Sequence, residues 1–163
     1  MNKIELLIAT FFAIILIGCT STPSMDNFTY TYSMENVNNF KIEFQLNSDS
    51  TFKITQFNFF FDNFENTKKP ISTEGTLNSE EFSKLKKLLQ QSNIENMKDS
   101  YGFDDKIASE SDIMYMIELK QNEKSKFVSI NANDVITFSK KFTELISYTN
   151  TIISSKTQES IVF

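Results

Sequence analysis

FKIEFQLNSDSTFKITQFNFFF, residues 40–61, is the stretch on which the fold turns. Phe40, Ile42, Phe44 and Leu46 alternate with Lys41, Glu43, Gln45 and Asn47. A period of two puts the first set on the covered face of a β-strand and the second set in water. Residues 47–50, NSDS, have the side chains that reverse a chain. After them the apolar phase shifts: Phe52 and Ile54 share one face, while Phe57, Phe59 and Phe61 take the other. Either a bulge near Gln56 moves the register, or the strand end is covered on both faces. Upstream, Phe28, Tyr30, Tyr32 and Met34 alternate with Thr29, Thr31, Ser33 and Glu35, so the three runs read as an antiparallel meander.

Downstream, residues 62–70 form a loop and ISTEGTL (71–77) a possible short strand. A helix follows with agreeing start signals: Asn78 as N-cap, Glu81 completing a capping box, and Leu77 with Phe82 as a hydrophobic staple. Phe82, Leu85, Leu88 and Leu89 give its buried stripe, and it ends near Gln91. Residues 92–111 read as irregular, plugged by Ile94, Met97, Tyr101 and Phe103. Ile113, Tyr115, Ile117 and Leu119 alternate as a strand, with Met114 and Met116 implying at least partial cover on its other face. QNEK turns the chain, and residues 127–130 return as a second strand. Val135, Phe138, Phe142, Leu145, Ile146, Thr149 and Ile152 place a last helix over about 134–153. The expected class is α+β: an antiparallel sheet of about five to six strands, three-strand meander first, with two helices packed on one face. One domain is expected over 28–155, with residues 156–163 as a C-terminal tail.

The chain has 163 residues, a net charge of −5, 17 phenylalanines and no histidine. Its 16 basic residues are all lysine. Without histidine there is no Ser-His-Asp or Cys-His catalytic set, and zinc lacks its usual ligands. Without arginine the two-pronged grip on phosphate is missing. Net negative charge repels a polyanion, so nucleic acid is not an expected partner. No cofactor is implied, and the reading is non-enzymatic.

Residues 6–17, LLIATFFAIILI, follow the short, lysine-bearing start MNKIE. Twelve residues suit a signal h-region and fall short of the ~20 that a spanning helix needs. Leu16, Ile17, Gly18 and then Cys19, the sole cysteine, close the run. This resembles the lipobox of bacterial lipoproteins. The resemblance covers residues 1–19 and implies diacylglyceryl transfer to the Cys19 sulfur, cleavage after Gly18 and acylation of the new amino terminus. Residues 1–18 are then a cleaved signal peptide, and 19–27 the lipidated cysteine and its tether. Eight tether residues reach at most roughly 26 Å, which keeps the domain beside its membrane. Thr20, rather than aspartate, implies the outer membrane under the enterobacterial sorting pattern. The motif G-x-L-x-x-E-E-x-x-x-L, Gly75 to Leu85, is similar to one in small bacterial lipoproteins, a likeness to which no activity attaches.

Three side-chain groups remain as candidates. Asp99, Asp104, Asp105, Glu110 and Asp112 offer oxygen ligands of the kind calcium takes, yet lack the alternation of a helix-loop-helix site and read better as a solvated loop, with Asp112 capping a turn. Ser83 and Lys86 have serine-lysine spacing without the companion motifs of penicillin-recognising enzymes, and Lys86 falls on the wet face of its helix. Phe57, Phe59, Phe60, Phe61 and Phe64 can form an exposed binding surface, or can fill the sheet core and its following loop. Together these features describe a lipid-anchored envelope protein, most simply a protein-binding or envelope-assembly module. An inhibitor or immunity-type lipoprotein and a carrier of small hydrophobic ligands are the alternatives.

Overall fold

The computed structural model describes residues 25–36, 39–58, 69–103, 112–132 and 136–159. The alternating run forms β2 (Phe40–Asn47), flanked by β1 (Phe28–Asn36) and β3 (Thr51–Asn58) in the expected meander. The turn between β2 and β3 closes through Ser50 N–H donating to the Asn47 carbonyl, 3.0 Å. Asp49 supports it by accepting from the Thr51 backbone N–H at 3.0 Å and from the Thr51 hydroxyl at 2.6 Å. Pairing of β2 with β3 runs unbroken from Phe40 opposite Asn58 to Leu46 opposite Phe52, so no bulge lies within this pair. Phe57 therefore points away from Phe52 and Ile54. It is half-buried, with the Lys41 ammonium 5.8 Å from its ring centre.

β4 (Ile71–Thr76) adds an edge to β3, and α1 (Ser79–Gln91) follows. The helix start is the anticipated one. Asn78 accepts from the Glu81 N–H at 2.9 Å, and Glu81 accepts from the Asn78 N–H at 3.0 Å. After a 3-10 turn (Ile94–Asn96) come β5 (Ser100–Tyr101), β6 (Ile113–Gln121), β7 (Lys124–Ala132) and α2 (Lys140–Glu159). The sheet order is β4-β3-β2-β1-β6-β7-β5.

Two expectations change. Among the described residues the sheet has seven strands, and it is mixed, because β5 runs parallel to β7 with Tyr101 opposite Ile130. A two-residue strand is too short to show alternation, so nothing in residues 92–111 could announce it. The second change is at α2, which begins six residues after 134 and continues past 153 to Glu159. Ser139 marks the true start: its Oγ accepts from the Phe142 N–H at 3.2 Å, and its carbonyl accepts from the Thr143 N–H at 3.0 Å. A serine in that place satisfies donors that the first helical turn leaves open.

One sheet face is buried by Phe28, Tyr30, Tyr32, Phe44, Ile54 and Ile117, among others. Both helices meet that face. Phe82 of α1 stacks on Phe28, with ring centres 6.3 Å apart. From α2, Thr149 Oγ1 lies 3.2 Å from the Tyr30 hydroxyl, and Asn150 Oδ1 accepts from the Tyr32 hydroxyl at 2.9 Å. Both phenols sit on β1, the middle strand, so these two bonds fix where α2 lies along the sheet. Between the helices, the Lys156 ammonium is 3.0 Å from Glu81, and Lys84 sits 4.1 Å over the Tyr148 ring. The opposite face carries Lys41, Glu43, Lys53, Glu74, Glu118 and Lys120, joined as surface ion pairs. Met114 and Met116 are half-buried on it.

Candidate functional site

Because residues 136–139 are not helical, Phe138 leaves the α2 stripe that it would otherwise extend, and Ile136 is placed beside it. The Phe138 ring packs against Phe142 at 5.1 Å and edge-on to Tyr101 of β5 at 5.2 Å. Gly102 permits this closeness. Its φ is +81°, and a Cβ there would stand 2.4 Å from the Asn131 carbonyl oxygen and 2.8 Å from Ile136 Cδ1. Only glycine takes that conformation without strain.

The result is an open groove of about 730 Å³ between α2 and the β6–β7 end of the sheet. Ile130, Ile136, Phe138, Phe142 and Ile146 make its apolar side, with Tyr115 at the strand floor. Along α2 the rim holds Thr143, Ser147, Asn150, Thr151 and Ser154. Residues 142 to 154 span about 18 Å of helix, so the groove is long for its volume. That volume falls within the range of small-molecule sites, roughly 300–1,000 Å³.

The polar rim is unequal in what it offers. Thr143 donates its hydroxyl to the Ser139 carbonyl at 3.3 Å, and Thr151 donates to the Ser147 carbonyl at 3.0 Å. These two therefore present lone pairs. Asn150 has committed its carbonyl oxygen to Tyr32, so its amide N–H groups are what remain for the groove. Tyr32 is fully buried and lies beside the Tyr115 ring at 6.0 Å. Burial pushes the Tyr32 phenol far above its ordinary pKa, a shift that the Asn150 hydrogen bond opposes in part. The phenol thus stays a donor, and the amide stays oriented. Apart from Tyr115, the described lining residues have no ionisable side chain. Across the α2 ridge, a second depression of about 720 Å³ shares Thr143, Ser147 and Thr151 with the groove and is bordered also by the charged side chains of Lys84, Lys140 and Glu144.

The residues singled out from sequence are not gathered here. Cys19, Phe59, Phe60, Phe61 and Phe64 lie outside the described residues, as do Asp104, Asp105 and Glu110. Phe57 is on the far face of the sheet, under Lys41. Asp99 pairs with Lys126, and its carbonyl accepts from the Ser129 N–H. Asp112 accepts from Asn131 Nδ2 at 3.2 Å, bracing two neighbouring strands. Among the described residues, no three acidic, histidine or cysteine side chains form a group able to hold a metal. No helix among them is long and apolar enough to cross a membrane. Sequence reasoning missed the groove. Its available signals were Ser139 as a cap and the hydroxyl row Thr143, Ser147, Thr151 and Ser154 beside an apolar stripe. No protein-family model and no curated protein matches the sequence.

Proposed function

We propose that the chain is a lipid-anchored, non-enzymatic protein of the bacterial cell envelope whose domain holds a small hydrophobic ligand in the groove beside α2. The observation that carries this reading is the groove itself: about 730 Å³, walled by Ile130, Ile136, Phe138, Phe142 and Ile146, with no carboxylate or lysine among its described lining residues. Ile136, Phe138 and Ile146 are half-buried there, and a concave, mostly apolar surface is where small molecules bind. The anchor rests on Leu16-Ile17-Gly18-Cys19 and the h-region before it, with the outer membrane as the expected location. A protein-partner reading has the Phe cluster of residues 57–64 as its candidate surface, and the described member of that cluster, Phe57, is half-buried beside Lys41.

Native mass spectrometry of the full chain extracted from its own membranes tests the ligand. The expected result is a retained apolar small molecule that Ile146→Glu releases while the melting temperature stays within a few degrees. Recovery of ligand-free wild-type protein throughout would contradict the reading. For the anchor, Cys19→Ser should leave an unprocessed precursor that takes up no labelled palmitate; normal processing would refute it.

A further inference from the structure

We infer that the groove selects an uncharged acyl ester of the monoacylglycerol class, and that Asn150 is the residue that sets this choice. This rests on the groove being a ligand site, as proposed above. Three features carry it. First, the groove follows about 18 Å of α2, with Ile130, Ile136, Phe138, Phe142 and Ile146 as its apolar lining. An extended chain matches that shape better than a compact ring system. Second, the rim along α2 pairs donors with acceptors, and its described side chains carry no charge. Thr143 and Thr151 have spent their protons on helix carbonyls, while the Asn150 amide, its oxygen held by Tyr32, has its donors left. An ester carbonyl beside free hydroxyls complements that set: the carbonyl accepts from Asn150, and the hydroxyls donate to the threonine oxygens. Third, no cation among the described lining residues would receive an ionised head, and a charge that leaves water without a partner is costly. The membrane anchor places the domain within a tether's length of acyl esters, which raises their local concentration.

Tyr32 is a positioning residue in this arrangement. Buried and flanked by Tyr115, it has Asn150 as its hydrogen-bond partner and so decides which way the amide faces.

The test uses the full chain in phosphatidylcholine vesicles and two photoreactive probes of equal chain length, a monoacylglycerol and an alkyl sulfate. Adducts are mapped by mass spectrometry. In the wild type the ester probe should label residues 130–154 at least about five-fold more than the sulfate, the loss expected when a hydrogen bond goes unmade. Asn150→Asp keeps an acceptor for Tyr32 but removes the donors, and should lower ester labelling about five-fold or more without lowering the melting temperature. Tyr32→Phe should narrow the ester-to-sulfate ratio while leaving total labelling close to that of the wild type. The wild-type ratio stands as a test even if a variant fails to fold. Equal labelling by both probes, unchanged in Asn150→Asp, would overturn the inference and leave the ligand site standing. No groove adduct with either probe would remove the site as well. Labelling that appears only after deletion of residues 160–163 would assign the groove to the chain's own C-terminal segment and overturn both.

Discussion

The hydrogen bond between Tyr30 and Thr149 joins the central strand to α2 inside a fully buried setting, with the oxygens 3.2 Å apart. Its removal from each side should differ in cost. In Tyr30→Phe the phenol disappears and Thr149 can turn its hydroxyl to a carbonyl of its own helix, as Thr143 and Thr151 do. The cost should be near that of one net hydrogen bond, about 1 kcal/mol. In Thr149→Val the phenol remains, buried and unpaired, and pays the larger desolvation penalty of about 2 kcal/mol. The double variant replaces both groups by apolar ones of similar shape and should cost about 1 kcal/mol in all. The two changes would then be non-additive by about 2 kcal/mol. Urea melts of the four proteins measure this, and thermal melts should track them at about 4 °C per kcal/mol. Additive losses would refute the claim that this bond fixes α2 on the sheet.

Three further outcomes follow from the same structure. Burial raises the pKa of both Tyr30 and Tyr32 above the ordinary 10.0, so above that pH the unfolded chain loses protons that the folded chain keeps. Their contribution is complete below about pH 10 and falls by about 1.4 kcal/mol per pH unit for each tyrosine above it. Urea melts at stepped alkaline pH should show the decline, and Tyr32→Phe should make it shallower. Gly102→Ala must place a Cβ against the Asn131 carbonyl at a φ of +81°, which should cost about 2 kcal/mol or more and speed amide exchange around β5. Asn78→Ala removes one half of the capping box on α1 and should cost about 1 kcal/mol by urea melt, leaving ligand labelling in the groove unchanged.

How much of this was legible in the sequence depended on the length of each signal. β1, β2 and β6 span eight or nine residues with clean alternation, long enough for a period of two to register. The start of α1 was legible because Asn78 and Glu81 act locally, through atoms three residues apart. β3 left two readings open, a bulge or cover on both faces; the strand runs straight on, and the Phe57 ring is partly covered by Lys41. β5 was invisible because two residues carry no period, and it pairs with β7 across a long stretch of sequence. The groove was hidden for a related reason. Val135 and Phe138 fit the helical spacing of Phe142 and Leu145, so the periodicity carried the helix past its true beginning at Ser139. Once residues 136–139 leave the helix, Ile136 and Phe138 become groove wall. Only tertiary contact with Gly102 and Tyr101 decides that.

The central claim is that the apolar wall beside α2 binds an uncharged acyl chain. Methyl NMR of the isoleucine-labelled full chain, titrated with a monoacylglycerol, tests it most directly. Ile130, Ile136 and Ile146 line the groove, while Ile54 and Ile94 are buried elsewhere. The account predicts saturable shifts of the first three methyl sets with the other two still. Uniform shifts across all five, or no saturable shift at Ile136 and Ile146, would contradict it.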